Sequence, residues 1–125
     1  MSSLHDIEHR SGHTLDLLTD EIAGLRIAVT RKGAELVSIA RRQPDGTWLG
    51  FLYRDGEVEP PSQGWANHAT VMGYYLHRLK GERTTYRGRE IRGGNHSFLR
   101  SKQFPEPKVT SDSLTYSLAP SEIAP

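Results

Sequence analysis

Leu25-Arg26-Ile27-Ala28-Val29-Thr30-Arg31-Lys32-Gly33-Ala34-Glu35-Leu36-Val37-Ser38-Ile39-Ala40 is the stretch on which the fold turns. In its first half Leu25, Ile27 and Val29 stand at every second position, with Arg26 and Ala28 between them. Successive side chains of an extended chain point to opposite faces, so period two means a strand with one apolar face. Arg31-Lys32-Gly33 interrupts the pattern, and Gly33 can take the positive φ that a tight turn requires. Ala34 to Ala40 reads as a second strand, with Leu36 and Ser38 on one face and Val37 and Ile39 on the other. Residues 25–30 and 34–41 are therefore expected to pair as antiparallel strands. Leu25, Ile27 and Val29 are expected to face apolar neighbours.

Outward from this pair the turn signals continue. Gln43-Pro44-Asp45-Gly46 combines Pro with Asp-Gly, the residues tight turns need, and Thr47 to Tyr53 is aromatic-rich and strand-like. Trp48, at that turn–strand junction, reads as core. Residues 54–66 hold Asp55-Gly56, Pro60-Pro61 and Gly64 and form a long connection, of the kind that covers or serves a site. Val71 to Leu79 is apolar and aromatic and reads as a strand. Thr84-Thr85-Tyr86, Arg87-Gly88-Arg89 and Glu90-Ile91 give strand, turn and strand. Gly93-Gly94-Asn95 breaks the sheet. Residues 108–110 and 114–118 flank Ser111-Asp112-Ser113 as a later hairpin. Residues 1–13 are polar, carry three of the six histidines, and read as an N-terminal arm or short helix. Residues 14–125 read as a single β domain. Turn signals recur roughly every 8–12 residues, which places the chain in the all-β class as an antiparallel β-sandwich.

Composition bounds the function. The 125 residues carry 16 basic and 15 acidic side chains for a net charge of +1. That balance argues against a nucleic-acid partner held by bulk electrostatics. No apolar run approaches the ~20 residues of a membrane span, and the opening Met1-Ser2-Ser3-Leu4 lacks the basic start and apolar core of a secretory signal. The absence of Cys excludes disulfides and thiolate chemistry and fits a cytoplasmic protein. Apolar residues make up only 35%, so a thin core is expected, or one completed by another copy in a homo-oligomer.

Four segments resemble one family. Gly33-Ala34-Glu35-Leu36-Val37-Ser38-Ile39 resembles the early G-A-x-L-x-S strand pair of the galactose mutarotase-like, or aldose 1-epimerase, proteins. Val71 to Leu79 is similar to their G-R-x-x-x-R-hydrophobic segment, with Gly73 and Arg78 matching and Tyr74 in place of the first Arg. Tyr86-Arg87-Gly88-Arg89-Glu90-Ile91 resembles the hairpin that follows. Asn95 to Arg100 resembles the H-G-F-a-R segment, with His96, Phe98 and Arg100 matching and Ser97 replacing the Gly. The resemblance runs from about Leu25 to Phe104 and implies the N-terminal portion of a β-sandwich much longer than 125 residues. It also implies interconversion of sugar anomers, an isomerase chemistry in which an acid and a base serve the ring oxygen and the anomeric hydroxyl. The family's second His and its base Glu lie in the later half, so the catalytic residues stay unassigned and only Arg78 and His96 carry over. A catalytic protein, a non-catalytic sugar-binding module and an oligomeric interaction protein all remain open.

The expected substrate-binding residues are Arg78, His96, Trp65 and Phe98, with a hexose or other small sugar as partner and no cofactor. A hydroxyl needs a hydrogen bond and a sugar's C–H face needs a ring, which His96 and Phe98 supply side by side. Arg78 interrupts an apolar run, where a charge is costly unless paired or facing a cavity. Trp65, close to Asn67 and His68, offers a platform for a sugar or a plug for the sandwich edge. His77 is expected on the face opposite Arg78. His5-Asp6-Ile7-Glu8-His9 spells H-x-x-E-H, an inverted zinc-protease signature. It lies at a polar terminus without the rigid helix such a site needs, so no metal is assigned. Arg83, Arg87, Arg89 and Arg92 crowd the hairpin, where Glu82 and Glu90 partly cancel them.

Overall fold

A computed structural model describes residues 3–119. Five antiparallel strands form a meander in the order β1-β2-β3-β4-β5: β1 Ser3–Arg10, β2 His13–Asp20, β3 Leu25–Thr30, β4 Glu35–Arg42 and β5 Trp48–Gly50. Two small hairpins follow, β6 Arg83–Tyr86 with β7 Arg89–Arg92 and β8 Lys108–Val109 with β9 Leu114–Thr115. The all-β antiparallel class expected from the sequence is the class observed.

The turn chemistry explains the meander. Ser11-Gly12 and Arg87-Gly88 join their strands with both residues at positive φ, the two-residue turn whose twist matches that of paired strands. Between β2 and β3, the Asp20 carboxylate accepts the backbone N–H groups of Ile22 and Ala23 at 3.0 and 2.9 Å. Gly33 takes a φ of 73° between β3 and β4. A Cβ there would stand 2.6 Å from the Arg100 carbonyl oxygen, so only glycine lets residues 100–103 lie against this turn.

The central pairing falls where the alternation put it, with one departure. Ala28 lies opposite Ser38 but Val29 opposite Leu36, so Val37 is the extra residue of a β-bulge. The bulge turns Val37 onto the face of Ala28, where it is buried with Leu15 and flanked by Leu17 and Val58. Val37 and Ile39 therefore do not share a face as the bare alternation implied. On the opposite face Val29 is buried and Ile27 half-buried, but Leu25, at the strand start, is 47% exposed. The core is as thin as the composition suggested.

Three other elements differ from expectation. The segment expected as an arm or short helix over residues 1–13 is a strand where it is described: Ser3–Arg10 is strand β1, in unbroken register with β2 from Ser3↔Asp20 to Arg10↔His13. Polar residues on both faces hid it, but an edge strand needs backbone partners more than an apolar face. Val71 to Leu79 forms no strand; Val71, Met72, Tyr74 and Leu76 are exposed, and apolar composition without a neighbouring strand does not make a sheet. Trp48 is half-buried rather than core, with the Arg26 and Arg42 guanidinium groups 4.3 and 5.6 Å from the ring centre.

Residues 104–116 cross the face of the sheet that carries Asp16. Phe104 donates its N–H to the Arg31 carbonyl at 2.8 Å, and its ring meets Tyr116 edge-on. The fully buried Asp16 carboxylate gathers four hydrogen bonds: two from Arg31 at 3.0 Å, one from His5 Nε2 at 2.9 Å and one from the Tyr116 hydroxyl at 2.8 Å. Burial by itself would raise the Asp16 pKa. The bonds from Arg31, His5 and Tyr116, with the Arg31 charge, outweigh it and hold the carboxyl below its ordinary value. Burial, followed by the bond to Asp16 and its charge, raises the Tyr116 pKa well above its ordinary value.

Candidate functional site

The segment that carries His96 is a turn laid against residues 73–82. His96 N–H donates to the His77 carbonyl at 3.2 Å, Leu99 N–H to the Gly73 carbonyl at 3.3 Å, and Gly93 N–H to the Glu82 carbonyl at 3.0 Å. The Tyr75 hydroxyl donates to the Gly94 carbonyl at 2.6 Å. A Cβ on Gly73 would stand 2.4 Å from Leu99 Cδ1, so a larger residue here would have to displace the Leu99 side chain. The β6–β7 hairpin thus returns the chain, and its two flanks become neighbours as the hairpin logic predicts.

Within the turn, His96 and Ser97 both have left-handed backbones, with φ of 62° and 59°. Consecutive non-glycine residues in this region are uncommon, and such strain concentrates at functional sites. The His96 Nδ1 atom is buried and has no hydrogen-bond partner among the described residues. A buried polar nitrogen calls for a water or a ligand hydroxyl. Phe98 packs edge-on against Tyr74, with ring centres 5.7 Å apart at 88°, so the residue standing in place of the family's first Arg is an aromatic partner.

Arg78 follows the residue whose carbonyl receives the His96 N–H, and its side chain is exposed. His96, Phe98 and Arg78 are therefore on apposed segments. Trp65 stands apart on the connection before this region and is 64% exposed. His77 is exposed, with its ring 5.5 Å from that of Tyr75. Glu82 enters through its backbone, and Glu90 is engaged with Arg83 and Arg92 on the outer hairpin. Among the described residues no carboxylate contacts the His96 ring, and no group of three or more His, Asp or Glu is placed to hold a metal ion. In β1, His5 bonds to Asp16 and His9 to the Thr14 hydroxyl, so the two histidines of the H-x-x-E-H string serve strand contacts.

A second polar cluster lies at the start of β4. Glu35 Oε2 accepts the His68 backbone N–H at 2.6 Å and lies 3.2 Å from His68 Nδ1; His68 Nε2 is 3.0 Å from the Arg54 carbonyl. The pair sits in a cleft of about 200 Å³ with Lys32 and Arg100 in its walls. The sequence flagged Asn67 and His68 beside Trp65. It gave no sign that Glu35, 33 positions upstream, is the partner of His68, because only the antiparallel bridge between Leu36 and Ala69 brings them together. No helix among the described residues is long and apolar enough to cross a membrane.

No family model matches this chain. No curated protein matches it either. Among solved structures it is similar to a galactose mutarotase related enzyme from Lactobacillus acidophilus, with a TM-score of 0.63 and 22% identity over 92% of this chain and 32% of that one. The chain thus spans about a third of that protein's length, and at this identity the likeness is one of fold.

Proposed function

We propose that this chain binds a small sugar through the turn that carries His96, with Arg78 on the apposed segment as the second polar contact and Phe98 as the apolar one. The observation that carries the reading is the buried Nδ1 of His96, without a partner among the described residues, on a left-handed turn. The mutarotase-like fold supports it. A sugar hydroxyl both donates and accepts, so it satisfies either tautomer of the imidazole, while the guanidinium donates to a second hydroxyl. Mutarotation needs more: a base at the anomeric hydroxyl and an acid at the ring oxygen. Among the described residues His96 Nδ1 has no hydrogen-bond partner, so this turn supports the binding step, and the acid and base of a catalytic reading stay unassigned.

Saturation-transfer NMR against free hexoses, followed by polarimetry on any binder, tests both readings. A transfer signal that His96→Ala abolishes and His9→Ala leaves intact is expected. Binding with mutarotation no faster than buffer assigns the non-catalytic module, whereas accelerated mutarotation assigns the isomerase. No transfer from any hexose ends the carbohydrate reading.

A further inference from the structure

We propose that the β6–β7 hairpin is a docking ribbon for duplex DNA and enters the major groove with its arginines against the phosphates on either side. This site is separate from the His96 turn and does not depend on the sugar reading. The chain is near neutral as a whole, which argued against a nucleic-acid partner, but its charge is segregated. Residues 80–92 carry five basic side chains and two acidic ones, a net charge of +3. The whole chain carries +1, so all the other residues together sum to −2. Every residue from Lys80 to Arg92 is exposed. The positive excess is thus presented on a projecting element and not spread over the surface.

The strand register puts these charges on both faces of the ribbon. On one face Arg83 and Arg92 stand directly opposite each other and share a single carboxylate: Glu90 Oε1 lies 3.9 Å from Arg83 Nη1 and 3.2 Å from Arg92 Nη2. Like charges placed opposite each other weaken a strand pair, and no residue of either strand is buried to offset that. On the other face Arg89 pairs with Tyr86, and the Arg87 guanidinium, at the tip, lies 5.3 Å from the Tyr86 ring centre. Neither Arg87 nor Arg89 makes an ion pair among the described residues. A flat anionic surface would meet only one of these faces, whereas a groove with phosphate walls meets both. The major groove of B-DNA, about 12 Å wide, admits a two-stranded ribbon. Strands of four residues reach about 13 Å, more than the groove's depth of about 8.5 Å. The guanidinium fork matches phosphate geometry.

The test titrates the full chain into a fluorescently labelled DNA duplex of mixed sequence and reads anisotropy over a series of salt concentrations. A Kd of about 10⁻⁴ M at physiological salt is expected, the weak end of sequence-independent binding. Log K is expected to fall with log salt at a slope of about −0.9 for each phosphate met, or about −3.6 if all four arginines engage. Arg87→Gln and Arg89→Gln are each expected to weaken binding and to reduce that slope by about 1, with the melting temperature unchanged. Lys108→Gln, on the other hairpin, is expected to change neither. Amide shift mapping on the wild type provides a readout independent of any variant, and the amides of residues 83–92 are expected to move. No anisotropy change at about 100 μM chain in low salt overturns the proposal. So does a slope unaltered in both arginine variants, or shifts confined to other residues. Binding to polyglutamate or to phosphatidylserine vesicles as tight as to the duplex also overturns it, because the groove would then play no part. Hexose binding at His96 is read separately, so failure of either site leaves the other standing.

Discussion

At the residue scale Asp16 has the largest consequence. It is fully buried, and its donors come from three other parts of the chain: His5, Arg31 and Tyr116. Removing one partner of a buried ion pair leaves an uncompensated charge, at a cost of about 3–5 kcal/mol. Asp16→Asn is expected to lose about that much in urea unfolding, and Tyr116→Phe much less. The pH dependence has two limbs. The Asp16 pKa is lowered by folding, so its contribution is present above the ordinary carboxyl value of 3.8 and is lost as pH falls through the lower folded value. The Tyr116 pKa is raised, so its contribution is present below pH 10.0 and is lost as pH climbs above it. Tyr116→Phe should remove the alkaline limb and keep the acid one. Ser97 gives a second prediction. A left-handed backbone costs an L-residue about 1–2 kcal/mol, partly offset because glycine loses more freedom on folding, so Ser97→Gly is expected to stabilise by about 1 kcal/mol. Calorimetry showing Ser97→Gly destabilising would refute the strain at this turn.

Strand β1 sets the scale of the element. It is an edge strand with Asp, Glu, His and Arg along it, the composition that keeps an edge from recruiting other strands. Its backbone pairs with β2, and the side chain that ties it to the buried interior is His5, through Asp16. His5→Ala is expected to cost about 1.5–3 kcal/mol, the range for a hydrogen bond to a charged group. Hydrogen exchange should show amides of residues 4–10 losing protection while β2, β3 and β4 keep theirs. Uniform loss across all four strands would mean that β1 does not open on its own. The β6–β7 hairpin is the contrasting element. All eight of its strand residues are exposed, so its form rests on its own turn and pairing.

For the whole molecule, the imbalance between core and surface decides behaviour. The buried apolar cluster is Leu15, Ala28 and Val37, while Phe51, Trp65, Tyr74 and Leu76 are each more than half exposed. Large apolar side chains left in water favour any contact that covers them, at about 25 cal/mol per Å². Self-association into a dimer or larger homo-oligomer at micromolar concentration is therefore expected in sedimentation velocity. A clean monomer across the concentration range would show instead that the charged edges suffice to keep copies apart.

Local chemistry determined what rests on neighbours in sequence. The period-two pattern of residues 25–30, Gly33, and the Arg87-Gly88 turn specified strands and hairpins, because backbone twist and side-chain alternation are properties of a few consecutive residues. The hairpin also foretold that the flanks carrying Arg78 and His96 would meet. Contacts between distant positions were left to the tertiary structure. The bulge that turns Val37 to the core depends on the register of two strands, and β1 exists as a strand because β2 offers it hydrogen bonds. Glu35 finds His68 across 33 residues, and Asp16 finds Tyr116 across 100. A carboxylate seeks donors wherever the chain brings them, and where it brings them is set by the packing of the whole sheet.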